Sequence, residues 1–350
     1  MKHNQKSMLA AILVKQKKAL FIDRVKLPET LLYGQVLVKI ERTSICGSQI
    51  GEIEGVKGVD KHIPHLLGHE GGGEVVAIGP GVSYVQEGDR VVLHWKKGRG
   101  IEATPPVYEW KGEKLNAGYV TTFNEFAIVS ENRLTRVPKG FDLEWASLLG
   151  CAVLTGLGII VNDAQVKIGE SVVVIGSGGV GMSVIQGASM VSADPIIAID
   201  LLDNKLELAR KFGATHVINA KRENVRQSIV SILGDEGADV VVENTGDVKM
   251  IEFSYEATKA QGRSILVGVP RKGNAVSLYS LPLHFGKVFK GSHGGGAVPE
   301  RDIPRYVHLV NRGKLCLENL ITHRYPFEKI NDALRDLRSG VVSGRCMLHF

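Results

Sequence analysis

The sequence predicts an α/β protein of two domains, one rich in short β-strands and one built on a doubly wound parallel sheet. The chain has 350 residues, more than one hydrophobic core usually serves. Residues 1–140 contain short β-rich segments separated by Gly, Pro, Asp and Asn, which is typical of an antiparallel, barrel-like region. From about residue 172, strand segments alternate with helix-length segments, and this alternation predicts a parallel sheet.

The individual elements follow from composition and periodicity. In the first region, four segments have the composition of strands: 34–44, 71–82, 88–95 and 125–130. In the second region, five apolar segments have the pattern of buried parallel strands: 172–175, 196–200, 216–220, 238–246 and 264–269. The polar residues 96–118 are predicted to form one long loop.

The C-terminal residues return to a mixed pattern. We predict helices over residues 303–311 and 330–337 and a closing strand over residues 346–350. The chain is therefore expected to leave the first domain, form the parallel sheet and return. The predicted domains are residues 1–151 together with 293–350, and residues 152–292.

Composition excludes several classes of protein. With 44% hydrophobic and 23% charged residues, the chain is of ordinary globular type. Its net charge of +6 comes from scattered basic residues, so no nucleic-acid partner is expected. The apolar residues 8–14 lack a cleavage site, and no apolar stretch is long enough to cross a bilayer, so no membrane partner is expected. The four cysteines are too few and too far apart for a disulfide framework, which favours a cytoplasmic location.

A glycine-rich turn predicts a dinucleotide site. It follows the strand 172–175 and precedes a predicted helix. The expected cofactor contacts are Gly176, Gly178, Gly179, Val180 and Gly181. The glycines allow a tight turn and let a pyrophosphate approach the helix N-terminus. Asp200 ends the next strand, where a carboxylate accepts from ribose hydroxyls and repels a 2′-phosphate, so NAD is predicted rather than NADP. Lys205 either flanks the same ribose or is a solvated helix lysine.

Two residues in the β-rich region are of metal-binding type. Cys46 follows one predicted strand, and His69 precedes another 23 residues later. Taken singly, a cysteine is usually a small buried apolar residue and a histidine a satisfied polar one. The surrounding motifs favour a site.

These motifs resemble the zinc-dependent alcohol dehydrogenases of the medium-chain dehydrogenase/reductase family, and the resemblance covers almost the whole chain. The matching stretches are Cys46-Gly47-Ser48, Gly68-His69-Glu70, Glu87-Gly88-Asp89-Arg90-Val91, Phe123-Asn124-Glu125-Phe126, Leu149-Gly150-Cys151 with Thr155-Gly156, the glycine-rich turn, and Leu337-Arg338-Ser339-Gly340. The resemblance implies a GroES-like catalytic domain, a Rossmann NAD-binding domain, and hydride transfer between an alcohol and NAD.

The resemblance also implies that Cys46, His69 and Cys151 hold one catalytic zinc ion per chain. Two thiolates and one imidazole leave the open fourth position of a catalytic site and select zinc over magnesium or calcium. Glu70 resembles a carboxylate that lies close to the metal, and a salt-bridged structural glutamate is the alternative. Ser48 resembles the hydroxyl that contacts the alcohol and passes its proton outwards.

Three more positions resemble family contacts. Thr155 matches a residue near the nicotinamide ring, Arg345 matches a pyrophosphate contact, and Trp95 matches a residue of the substrate pocket. A purely structural role is the alternative for each of them.

The sequence departs from the family in three places. Residues 93–118 contain no cysteine, although many relatives bind a second, structural zinc there, so one zinc is predicted. Gly51 stands where the proton relay usually ends in a histidine, so the proton must leave through water or through a group such as His62 or His65. Gln49 replaces the acid that often supports the ligand histidine.

The expected substrate is a small alcohol or the corresponding carbonyl compound. A polyol, cyclitol or sugar dehydrogenase on the same scaffold is the alternative, because Cys46-Gly47-Ser48 resembles that branch. Its third metal ligand is commonly glutamate, however, whereas this chain offers Cys151. A non-catalytic NAD-binding scaffold protein would be expected to lack part of the metal triad. The family also implies a homodimer or homotetramer.

Overall fold

The structure, a computed structural model, describes residues 4–350 and divides into two compact units. The first unit extends to Cys151 and resumes at Val298, and the second is Ala152–Ala297. Antiparallel pairing predominates in the first unit and parallel pairing in the second, which confirms the predicted fold class. In the described part of the chain, no helix has both the length and the hydropathy needed to cross a membrane.

The strands and helices of residues 4–350 follow in chain order. The strands are β1 Ser7–Leu13, β2 Phe21–Lys26, β3 Gln35–Ile45, β4 His65–Leu66, β5 Glu70–Ile78, β6 Arg90–His94, β7 Tyr108–Trp110, β8 Glu113–Leu115, β9 Phe126–Ser130, β10 Leu134–Arg136, β11 Val172–Ile175, β12 Ile196–Asp200, β13 His216–Asn219, β14 Ala238–Glu243, β15 Thr258–Leu266, β16 Val288–Gly291, β17 Ile321–Pro326 and β18 Arg345–His349. The α-helices are α1 Gly47–Ile53, α2 Leu143–Leu148, α3 Ala152–Gly158, α4 Gly179–Met190, α5 Asp203–Lys211, α6 Val225–Leu233, α7 Val248–Glu256, α8 Pro299–Asn311 and α9 Ile330–Arg338.

The first unit contains two sheets. One has the strand order β4-β1-β2-β7-β8, and the other has the order β10-β6-β5-β3-β18-β17 with β9 also paired to β3. Strand β3 is the centre of the larger sheet because it pairs with β5, β9 and β18. Its apolar residues Val36, Val38 and Ile40 are completely buried, together with Val91 and Leu93 of β6. This packing fixes the strand ends at which the candidate site residues lie.

The second unit is built on a parallel sheet with the strand order β13-β12-β11-β14-β15-β16. The four residues of β11 are all buried, as expected for a strand with helices on both faces. The sequence predicted five strands of this sheet and missed β16. That strand is short and largely exposed, so it has no apolar signature.

The second unit also extends further along the chain than the predicted boundary at 292. The turn Gly294–Gly296 packs closely on the end of α3 and on the residues just after it. Asn162 Nδ2 donates to the Gly295 carbonyl oxygen at 3.0 Å. A side chain at Gly158 would place its Cβ 2.5 Å from that same oxygen, so glycine is required for this approach. The turn therefore belongs to the parallel-sheet unit.

The predicted loop over residues 96–118 contains a small hairpin. Its strands β7 and β8 have three residues each, and β7 joins the edge of β2 through the pair Lys26 and Glu109. Trp110 Nε1 donates to Asp23 Oδ2 at 2.9 Å, and its ring lies 5.6 Å from that of Phe21. Strands this short give too few alternations to be recognised in a sequence.

The C-terminal prediction is close to the structure. Helix α8 begins at Pro299, four residues before the predicted start, since proline is favoured at the first position of a helix. Helix α9 and strand β18 lie within one residue of their predicted positions.

Candidate metal and nucleotide sites

Four side chains of the first unit converge on one point. Ligand atoms of Cys46, His69, Glu70 and Cys151 all lie within 4.8 Å of one another. Cys46 follows β3, His69 directly precedes β5, Glu70 begins that strand, and Cys151 follows α2. The structure therefore brings together residues that the sequence separates by as many as 105 positions.

Cys46 is held at the junction of a strand and a helix. It is the N-cap of α1, and its backbone N–H donates to Gln49 Oε1 at 3.0 Å. N–H groups at the start of a helix have no carbonyl acceptor within the helix. The Gln49 side chain supplies an acceptor for the N–H of Cys46. This reciprocal cap fixes the backbone that carries the Cys46 sulfur.

Glycines allow the segments that carry His69 and Cys151 to pack closely against neighbouring residues. Gly68, before His69, has a φ of +88°, and a Cβ there would lie 2.4 Å from Thr122 Oγ1. Gly150, before Cys151, would place a Cβ 2.3 Å from the Leu93 carbonyl oxygen. Both contacts are far below van der Waals distance, so the cluster depends on residues without side chains next to its ligands.

His69 is oriented for coordination. Its Nδ1 contacts the amide nitrogen of Gln49, while its Nε2 is buried and has no hydrogen-bond partner. A buried ring nitrogen without a partner is costly unless something binds it. A metal ion would satisfy this atom.

The two thiols interact directly. A hydrogen bond from Cys151 lowers the pKa of Cys46 well below its usual value, against the opposing effect of burial. The same hydrogen bond raises the pKa of Cys151, and burial adds to this rise. One thiolate is therefore favoured in the pair, and a cation would be needed to favour both.

The position of Glu70 fits both interpretations, the carboxylate close to the metal and the salt-bridged structural glutamate. Its side chain is fully buried beside the ligand atoms and also forms an ion pair with Arg345. Burial raises the pKa of Glu70, although the charge of Arg345 opposes the rise. Arg345 Nη2 also donates to Ser44 Oγ at 2.6 Å. Sequence reasoning missed this pairing, because the two partners lie 275 residues apart.

The donor set fits a divalent metal ion of soft character. Two thiolates and the Glu70 carboxylate would carry three negative charges, and Arg345 carries one positive charge. A divalent cation would bring the buried cluster to neutrality. Sulfur and imidazole ligands favour zinc over magnesium or calcium.

Ser48 and Trp95 differ in their exposure to solvent. Ser48 is the second residue of α1 and its side chain is exposed. Trp95 is partly buried and packs against the apolar core that contains Val36 and Leu93. Its proposed role in the substrate pocket stays a prediction.

The glycine-rich turn lies between β11 and α4. Gly176 has a φ of +87°, and a Cβ at Gly181 would lie 2.1 Å from the Gly176 carbonyl oxygen. No side chain caps the N-terminus of α4, and its first turn has no acidic residue. The first N–H groups of this helix therefore remain available to an anion.

Asp200 faces this turn from the end of β12. Its Oδ2 accepts from the Ser177 N–H at 2.8 Å, and its Oδ1 accepts from the N–H groups of Leu201 and Leu202 at 2.7 and 3.1 Å. A carboxylate has about four acceptor positions, so one position, on Oδ2, remains for a ribose hydroxyl. Ser177 Oγ is buried without a hydrogen-bond partner, as is Asn244 Oδ1. The sequence pattern did not indicate these two residues.

Two further predicted contacts lie in the second unit. Thr155 is a buried residue of α3, and Lys205 is a partly buried residue in the first turn of α5. The cofactor roles of both residues stay predictions.

Sequence reasoning also missed a second polar cluster in the first unit. Oxygen and nitrogen atoms of Glu52, Asp60 and His65 lie within 4.8 Å of one another. The sequence offered His65 as one possible exit group for the proton, and the structure places it in β4 with 7% exposure.

Comparison with known proteins identifies the family of the chain. The alcohol dehydrogenase GroES-like domain family matches residues 33–139, and the zinc-binding dehydrogenase family matches residues 179–312. An S-(hydroxymethyl)glutathione dehydrogenase of Paracoccus denitrificans is 32% identical over 95% of this chain and 96% of its own. Alcohol dehydrogenase 1 of Trifolium repens is 30% identical over 97% and 96% of the two chains. The crystal structure of benzyl alcohol dehydrogenase from Acinetobacter calcoaceticus has a TM-score of 0.88 at 28% identity, covering 99% and 100% of the two chains.

The fold and these similarities define a zinc-binding dehydrogenase. The chain belongs to the zinc-dependent alcohol dehydrogenases of the medium-chain dehydrogenase/reductase family. It is an oxidoreductase that transfers a hydride between an alcohol and NAD, and zinc and NAD are its cofactors. The family recognised in the sequence is thereby confirmed.

The glycine before Cys151 gives a direct test of the metal cluster. Gly150→Ala should push Cys151 away from Leu93 and Glu70, at a cost of about 1–3 kcal/mol for overpacking. We expect the purified variant to contain much less zinc than the unchanged protein, as measured by elemental analysis. Gly140→Ala is the control, because a Cβ at Gly140 has no neighbour within 4 Å. Equal zinc contents in the two variants would contradict this geometry.

Proposed function

We propose that Cys46, His69 and Cys151 bind the single catalytic zinc ion of this dehydrogenase. The observation that carries the proposal is the convergence of these three ligand atoms around an unpartnered, buried His69 Nε2. When bound there, zinc supplies a Lewis acid for the hydroxyl or carbonyl oxygen of the substrate. A non-catalytic NAD-binding protein would have no need to retain this triad.

The surrounding residues have distinct tasks in this proposal. Gln49 orients the His69 ring and caps the helix that carries Cys46. Glu70 balances charge beside the ligands and is itself held by Arg345. Ser48 takes the proton that leaves the alcohol, since its hydroxyl is exposed two residues after Cys46.

The cofactor is bound by the second unit. The N–H groups at the start of α4 bind the pyrophosphate, and Gly176, Gly178, Gly179, Val180 and Gly181 form the turn that admits it. Asp200 accepts hydrogen bonds from the adenosine ribose and repels a 2′-phosphate. Thr155 is proposed as an additional cofactor contact, and Lys205 as a neighbour of the ribose. Arg345 lies in the first unit, where its buried guanidinium pairs with Glu70 and Ser44, so its expected pyrophosphate contact stays a prediction.

The substrate is a primary or secondary alcohol, or the corresponding carbonyl in the reverse direction. Cys151 as the third ligand supports this assignment over a polyol, cyclitol or sugar. An absorbance screen at the NADH band across simple alcohols, polyols, cyclitols and sugars tests it. Turnover confined to the last three classes would contradict the assignment.

We infer a cytoplasmic homo-oligomer, with a dimer as its unit. All four cysteines lie in the described residues and none forms a disulfide, which supports a reducing compartment. Strand β16 is an exposed sheet edge, and nearby Tyr279 and Phe285 are 72% and 68% exposed. Exposed edges and apolar side chains of this kind support pairing between copies.

Removal of one proposed metal ligand should abolish zinc binding while leaving NAD binding nearly unchanged. Cys151→Ser is expected to lose most of its zinc and its turnover, because a hydroxyl is a poor substitute for a soft thiolate ligand. NAD binding, followed by fluorescence titration, should change little, because the glycine-rich turn lies in the other unit. The exposed Cys316 provides the control variant Cys316→Ser. Retention of zinc by Cys151→Ser would disprove the ligand assignment.

Asp200 should determine the preference for NAD. Asp200→Asn keeps an acceptor for the Ser177 N–H but removes the negative charge, whereas Asp200→Ala removes both. Loss of one charge-assisted hydrogen bond is worth about 2 kcal/mol, so kcat/KM for NAD should fall roughly 30-fold relative to NADP in each variant. Steady-state kinetics with both cofactors measures this ratio. An unchanged ratio in Asp200→Asn would mean that Asp200 only stabilises the turn.

The assembly is tested by light scattering during size-exclusion chromatography. Phe285→Asp should shift the dimer or a larger assembly towards the monomer, because a charge would be buried at the interface. Ile168→Asp serves as the control, since Ile168 is 84% exposed elsewhere in the unit. A monomeric unchanged protein would refute the proposed assembly.

A further inference from the structure

The chain has Gly51, not a histidine, where the relay would receive the proton from Ser48, so the proton leaves through water or through another side chain. We propose that Glu52, positioned by His65 and Asp60, accepts this proton and releases it to solvent. The proposal rests on the role of Ser48 given above.

Helix α1 brings the donor and the acceptor to one face. Ser48 and Glu52 lie four residues apart within Gly47–Ile53. Side chains at this spacing are neighbours, with Cβ atoms about 5–6 Å apart. The Ser48 side chain is exposed and that of Glu52 is partly exposed, so the proton can reach solvent at Glu52.

His65 holds the acceptor in place. Its Nδ1 lies 2.8 Å from the Leu66 carbonyl oxygen, and its Nε2 lies 2.8 Å from Asp60 Oδ2. Both ring nitrogens therefore face oxygen acceptors. Glu52 Oε1 lies 4.0 Å from the same Nε2, so an N–H at this nitrogen faces the carboxylates of both Asp60 and Glu52.

The charges around Glu52 suit a proton acceptor. Burial raises the pKa of its carboxyl group above the usual value. The charges of His65, Lys57 and His69 oppose this rise, and Asp60 adds to it. A carboxylate with a raised pKa is a stronger base, and therefore a better partner for a hydroxyl proton.

The reaction balances in protons and electrons with the alcohol, NAD and water alone. In alcohol oxidation, the C–H bond breaks and its hydride passes to NAD as the carbonyl group forms. The hydroxyl proton passes to Ser48 Oγ while the Ser48 proton passes to the Glu52 carboxylate. Glu52 then returns its proton to water, and the relay is restored for the next turnover.

The role of Glu52 as a proton acceptor determines how kcat depends on pH. Oxidation needs the ionised form of Glu52, so kcat should decrease as the pH falls through the raised pKa of this group. Replacement of Glu52 by glutamine should remove that step from the pH profile. The hydroxyl proton must then pass from Ser48 to water.

The test compares Glu52→Gln with Glu54→Gln, using the full-length, zinc-loaded enzyme. Glu54 lies at the end of the same helix and pairs with Arg338 instead. For Glu52→Gln, we expect kcat for alcohol oxidation to fall about 100-fold, the lower end of the range for lost acid–base catalysis. The KM for NAD and the zinc content should stay unchanged. Added imidazole should restore turnover, and the solvent isotope effect should increase.

Three outcomes would overturn the proposal. The first is a kcat for Glu52→Gln equal to that of Glu54→Gln. The second is a loss of kcat that neither imidazole nor the conservative variant Glu52→Asp restores, which would indicate a structural role. The third is a second metal ion per chain that disappears with Glu52→Gln, which would make the cluster a cation site. Absence of zinc and turnover in the unchanged enzyme would instead refute the proposed function.

Discussion

The candidate metal site depends on the buried ion pair between Glu70 and Arg345. Glu70 has no exposed surface and lies beside two sulfur atoms, so its negative charge needs a partner that is also buried. Removing one member of such a pair typically costs about 3–5 kcal/mol. Because Glu70 lies on β5, Ser44 on β3 and Arg345 on β18, the pair also requires these neighbouring strands to be in register.

The two units meet a common constraint in similar ways. A metal cluster needs ligand atoms from distant segments to converge, and a dinucleotide needs backbone N–H groups to be exposed at a turn. In both cases the backbone must come closer than any side chain permits. Gly68 and Gly150 serve this purpose beside the sulfur and imidazole ligands, and Gly176 and Gly181 serve it in the turn before α4.

Sequence reasoning was successful where the signal is local. The alternation of strands and helices predicted the parallel sheet, and motifs of a few residues pointed to Cys46, His69 and the glycine-rich turn. It could not find the pairing of Glu70 with Arg345, or the approach of Asp60 and His65 to Glu52, because these contacts depend on strand register and loop path. Strand β16 and the β7–β8 hairpin were not predicted for another reason. Neither is long or apolar enough to produce a periodic pattern in the sequence.

The position of β18 has a consequence for biosynthesis. All six strands of the parallel sheet come from one continuous segment, so a ribosome completes that unit before it reaches Arg345. The larger sheet of the first unit, in contrast, waits for a strand that pairs with β3 and arrives about 300 residues later. Until then, residues 42–45 of β3 form an open edge in the nascent chain, and Glu70 has no arginine partner. Metal loading is therefore expected to be a late event, after translation of the final strand.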